Sequence, residues 1–208
     1  MKHSNRNHLL SALVLGVMSM ASPLMAQAGK VTVDKPSFDD LPSPDVGGNT
    51  GKKNFKPKDW LEVEVKFKIE MPSSYKSNFV DRVTVKWYVA IDDPSGGRKA
   101  VYMEKEINHV NVPVGEEVYS SVYLSPAAVR RISGRESAGK RIVKSVGGEV
   151  LVNGQAAVNR GGGFFSSTGK PGWWTQISRY DKIPLRHKNE TPFEFLWWDR
   201  YAEIEERR

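Results

Sequence analysis

The chain has 208 residues, a formal net charge of +7 and no cysteine. It therefore has no disulfide, no thiol nucleophile and no cysteine metal ligand, and its core alone must hold it together. The mild basic excess fits a solvated surface or weak attraction to anionic surfaces, and the sequence signatures of nucleic-acid binders are missing.

Lys2 and Arg6 precede an apolar run over residues 9–20, then Pro23 and the small-x-small triplet Ala26-Gln27-Ala28. This pattern predicts a secretory signal over residues 1–28, cleaved between Ala28 and Gly29. The run is too short to span a bilayer, which needs about 20 apolar residues. No lipid-accepting cysteine, prepilin site or second long apolar run follows. The expected product is an exported domain without a transmembrane span, associated with the periplasm or outer membrane, or secreted.

Residues 29–34 read as a short first strand. Residues 35–58 hold Pro36, Pro42, Pro44, Pro57, Gly47, Gly48 and Gly51, and read as a linker or long loop. The expected division is thus a strand and linker over 29–57 and a compact domain over 58–208. From there the period is two: Leu61, Val63, Val65, Phe67 and Ile69 alternate with Glu62, Glu64, Lys66, Lys68 and Glu70. That is a half-buried antiparallel strand. Val83, Val85, Trp87, Val89 and Ile91 repeat it, and residues 92–97 (DDPSGG) form a turn. Further strands are predicted over 99–107 and 117–124.

Ser125 as N-cap, Pro126 at the first helical position and Gly134 as closing residue predict one short helix. Strands resume over 141–146 and 148–152. Asn153-Gly154 is a hairpin turn signal, with residues 155–159 as the returning strand. A glycine-rich loop over 161–172 and strands over 173–180 and 192–203 close the chain. Residues 191–201 (TPFEFLWWDRY) are apolar on both faces and predict a central strand. About seven to nine short strands and one helix predict an all-β antiparallel sandwich, most simply an immunoglobulin-like one, with a closed barrel as the alternative.

Catalytic signatures are weak. His109 and His187 have no ligand-spaced neighbours and read as structural or surface residues, and Gly-x-Ser-x-Gly is absent. Residues 163–171 (GFFSSTGKP) miss the phosphate-loop spacing, and Pro171 stands where a metal-binding hydroxyl is needed. Asp92 and Asp93 are too few for calcium. No catalytic, cofactor or metal residue is therefore assigned. Trp173-Trp174 and Trp197-Trp198 are adjacent pairs in predicted strands, so one of each pair should face the core and the other solvent. An outward tryptophan suits a sugar ring or a protein partner, and Trp173 and Trp174 are the candidates for it. Arg130, Arg131, Arg135 and Lys140, with Arg141 and Lys144, form the densest basic cluster and are candidates for anionic contact.

Three stretches, residues 59–65 (DWLEVEV), 82–89 (RVTVKWYV) and 192–201 (PFEFLWWDRY), together resemble an exported protein family of Verrucomicrobia typified by Akkermansia, encoded in clusters with type IV pilus-associated proteins. The resemblance implies an immunoglobulin-like sandwich in the outer envelope or secretome, with a role in pilus assembly or host contact and no catalytic residues. The expected partners are envelope or pilus-machinery proteins, or a host glycan or surface. A carbohydrate-binding module is one rival reading, and an enzyme whose site assembles only in three dimensions is another.

Overall fold

The computed structural model describes residues 28–45, 56–97, 99–135 and 139–206. The expected signal falls outside them except for Ala28, which is half-buried beside a buried Gly29. The strands are β1 (Lys30–Val33), β2 (Ser37–Pro42), β3 (Asp59–Glu70), β4 (Phe79–Asp92), β5 (Ala100–Pro113) and β6 (Glu117–Leu124). After helix α1 (Pro126–Ser133) come β7 (Val143–Val152), β8 (Phe164–Ser166), β9 (Ser178–Arg179), β10 (Arg186–His187) and β11 (Glu203–Ile204).

Alternation dictates two layers. All five odd positions from Leu61 to Ile69 are buried, as are those from Val83 to Ile91, because each strand turns one face to the opposite sheet. The first sheet runs β1-β3-β6-β10, with β2 also on β3; the second runs β11-β5-β4-β7-β8, with β9 parallel on β5. With β3, β4, β5, β6, β7 and β8 as strands B, C, C′, E, F and G, the neighbour orders are A-B-E and C′-C-F-G. That is an immunoglobulin-like all-β sandwich with one short helix. The helix forms as its residues require. Ser125 accepts from the Ala128 N–H at 3.2 Å, and Gly134, at φ 70°, donates to the Arg130 carbonyl at 2.8 Å.

Between the sheets, a polar chain crosses the apolar core. Trp87 Nε1 donates to Ser120 Oγ at 3.3 Å, and Ser120 Oγ lies 3.0 Å from His109 Nε2. His109 Nδ1 lies 3.2 Å from the Ala202 carbonyl. A neutral imidazole with its proton on Nδ1 satisfies every member. His109 is structural, as its sequence context suggests.

Several expected elements take another form. The stretch read as a linker contains β2. The register sum rises by one between β1 and β2, so both lie on one side of β3 with an extra residue at the break around Pro36. Prolines survive there because an edge strand need not donate outward. Residues 46–55 of that stretch fall outside the described set. The expected strands 141–146 and 148–152 are one strand, β7, preceded by a 3₁₀ turn at Gly139–Ile142. Gly147 and Gly148 stay inside it because rings lie against both: a Cβ on Gly148 would stand 2.1 Å from the Lys86 carbonyl and 2.3 Å from Phe165 Cζ.

Asn153 and Gly154, at φ 49° and 78°, form the predicted turn, but only Gln155 pairs back, with Val152. Residues 156–159 leave to meet β1, and the returning strand is β8, within the stretch read as a loop. Trp173–Gln176 is a 3₁₀ helix, not a strand. Residues 191–201 form a chain of turns, not a central strand, because Phe193 packs inward while Trp197 takes φ 56°.

Candidate functional site

The outer face of the first sheet carries the even residues of β3 and odd residues of β6, including Trp60, Glu62, Glu64, Tyr119, Ser121 and Tyr123. Residues 188–201 lie across it. Phe193, 1 % exposed, stacks on Tyr123 at 5.4 Å and meets Trp60 edge-on at 6.1 Å. This ring nails the middle of the loop to the sheet.

A polar network fixes the loop's ends. The Tyr201 hydroxyl donates to Glu64 and lies 3.2 Å from Glu62 Oε1. Tyr123 donates to the same Glu62 oxygen at 2.6 Å, and Ser121 donates to Tyr123 at 2.9 Å. Arg200 donates to Glu64 at 2.5 Å, with its guanidinium 3.9 Å from the centre of the Tyr119 ring. Lys188, 3 % exposed, donates to the Glu194 carbonyl at 2.6 Å and sits 5.1 Å from the Trp198 ring centre and 5.6 Å from that of Tyr201.

Burial shifts these groups. It raises the Glu62 carboxyl above its ordinary range, with the Glu64 charge adding and the Tyr123 hydrogen bond opposing. It raises the Tyr123 and Tyr201 phenols, and it lowers the Lys188 ammonium. The tyrosines are therefore fixed as neutral donors.

What this machinery holds out is aromatic. Phe195, Trp197 and Trp198 are 73 %, 44 % and 59 % exposed. Trp197 stacks on Phe193 at 5.8 Å, and its left-handed backbone is rare for a bulky residue. Such strain costs about 1–3 kcal/mol and persists only where surrounding contacts enforce it. Neither tryptophan of this pair faces the core, against the expectation from strand alternation. The signal for this in the sequence was residues 191–201 being apolar on both faces, which also describes a loop pinned on one side and bare on the other.

The sites expected from sequence stand elsewhere. Trp173 and Trp174 are half-buried on the outer face of the second sheet, and neither is core. Trp174 stacks on Tyr88 at 4.4 Å and 9°, so one of its faces is taken, and Trp173 meets it edge-on at 5.6 Å. Both lean on Gly147, where a Cβ would stand 2.8 Å from Trp174 Cζ3. Arg130, Arg131 and Arg135 lie exposed on or just after α1, where Arg131 donates to the Lys182 carbonyl at 3.2 Å. Lys140 lies 3.7 Å from Asp39, and Lys144 lies 2.9 Å from Asp92. The basic residues thus belong to the helix end of the sandwich, and the structure does not join them to the tryptophans. Among the described residues no group of acidic or histidine side chains could hold a metal, and no helix is long and apolar enough to cross a membrane.

Fold and surface define a sandwich protein that displays an aromatic loop. A family model matches residues 22–208. A crystal structure of a protein from Akkermansia muciniphila superposes with a TM-score of 0.77 at 36 % identity, covering 88 % of this chain and 96 % of that one. The chain belongs to this Akkermansia family. No curated protein matches it.

Proposed function

We propose that the protein is an exported, non-enzymatic component of a type IV pilus system that acts in pilus assembly or host and surface contact, gripping a protein partner with Phe195, Trp197 and Trp198. The observation that carries this is Trp197: a strained backbone and a dense pinning network hold an indole against solvent. Exposed large aromatics on a rigid support are the usual anchors of protein interfaces. The space between the sheets is filled by Trp87, Phe67, Met103 and Phe165, which suits a scaffold for contact. The family resemblance supplies the pilus connection, and the residues before Gly29 supply the export.

The test is recovery of partners from cross-linked envelope extracts of producing cells. The intact chain should recover pilus-machinery proteins, and the Phe195→Ser/Trp198→Ser variant should lose them while a melting curve shows it fully folded at the assay temperature. Equal recovery by both would refute the assignment of the surface.

A further inference from the structure

A second surface lies on the opposite edge of the sandwich, where β1 of the first sheet and β8 of the second stand apart. The cleft between them has a volume of about 590 Å³ and is lined by Val33, Asp34, Lys35, Phe164, Ser166 and Gly169 among others. Its walls are strand edges. Asp34 donates to the Lys66 carbonyl, so alternation turns the N–H and C=O of Val31 and Val33 away from β3. On the other wall Val150 donates to Gly163, and Ser167 donates to Val146. The same alternation turns the backbone groups of Phe164 and Ser166 away from β7.

The fold already caps one rung of this edge. The Asn159 side chain accepts from the Val31 N–H at 2.9 Å and donates to the Val31 carbonyl at 3.0 Å, doing with one amide what a neighbouring strand would do. The cap stops there: the Ser166 carbonyl accepts only from the Gly169 N–H of its own turn, at 3.4 Å, and no hydrogen bond from across the cleft to the Val33 or Phe164 backbone or to the Ser166 N–H is present among the described residues. A side chain on Gly169 would meet nothing within 4 Å, so that end is open. Of the two charged lining residues, Asp34 pairs with Lys66 at 3.2 Å, which leaves Lys35 to meet a partner's charge.

We propose that this cleft accepts an extended strand from another protein. The strand adds to β8 through Phe164 and Ser166, presents its far edge to Val33, and carries apolar side chains at alternate positions and a carboxylate at the Lys35 end. Main-chain rungs give such a site its affinity, and the alternate side chains against Phe164 give it selectivity. It is distinct from the aromatic loop and does not rest on that loop's role.

The experiment is residue-resolved amide hydrogen exchange on the full chain. The probe is an acetylated, amidated peptide of sequence EVTVTVT, and its control has proline at the central valine. With the probe at about ten times its dissociation constant, exchange at Val33, Phe164 and Ser166 should slow about tenfold. The proline control should leave it unchanged. Ser166→Pro removes an outward N–H without touching the β7 ladder. It should abolish the slowing at Phe164 while a melting curve confirms the fold, and Phe164→Ala should weaken the slowing without removing it. Three results would overturn the proposal: strong protection of these amides in the free chain, no slowing at millimolar probe, or equal slowing by the control.

Discussion

His109 gives the sharpest quantitative prediction, because it is a titratable group wholly inside the core. Burial lowers its folded-state pKa from 6.5 to about 4, against the opposing pull of the Ala202 and Glu203 backbones. The neutral ring is built in, with Nδ1 facing the Ala202 carbonyl and Nε2 facing Ser120. The unfolded chain therefore takes up a proton that the folded chain refuses. The stabilising contribution is complete above the unfolded value and is lost as pH falls from 6.5 toward 4. At about 1.4 kcal/mol per pKa unit, the loss is about 2 kcal/mol at pH 5 and about 3 kcal/mol once both states are protonated. Urea unfolding of the native chain and of His109→Gln, at about pH 7.5 and about pH 5, isolates this group by difference. The variant starts less stable, since it disrupts the Trp87–Ser120–His109 chain, but its stability should fall by about 2 kcal/mol less across the interval. Parallel curves for the two proteins would refute the assignment of a buried, neutral His109.

Other substitutions probe packing and the loop. Gly148→Ala drives a Cβ against the Lys86 carbonyl and the Phe165 ring, so it should destabilise by about 3 kcal/mol, read as a fall in urea midpoint. Tyr201→Phe deprives buried Glu64 of a donor and should cost about 1–3 kcal/mol. Exchange should quicken over residues 193–201 while the β4 amides keep their protection. Trp197→Asn trades relief of about 1–3 kcal/mol of backbone strain against a stacking loss of about 0.5–1.5 kcal/mol. Its melting temperature should hold or rise while partner recovery falls.

The parts of the fold legible in the sequence are those where one local rule decides. Period-two alternation placed β3 and β4 and their buried faces, the Ser125–Pro126–Gly134 signals placed α1, and the 92–97 turn and the Asn153-Gly154 turn fell where glycine chemistry puts them. The local signal misleads where tertiary contact overrides it. Gly147 and Gly148 look like a break, but they are smooth ground for Trp174 and Phe165 to lie on. Residues 191–201 look like a central strand because adjacent apolar residues such as Trp197 and Trp198 would fill both faces, yet both are displayed while Phe193 is buried. The candidate site was legible only in its residue types. Nothing in the order of residues shows that Glu62, Tyr123 and Tyr201 meet, since their separation along the chain exceeds any local period, and Lys188 shows no sign of being a buried anchor.

The central claim is that the 195–198 aromatics, and not Trp173 and Trp174, are the surface that engages a partner. The direct test is quantitative recovery of pilus-machinery proteins from cross-linked envelopes by two variants, Phe195→Ser/Trp198→Ser and Trp174→Ser, each assayed well below its own melting temperature. The account predicts loss with the first and parental recovery with the second. Loss with the second and retention with the first would contradict it.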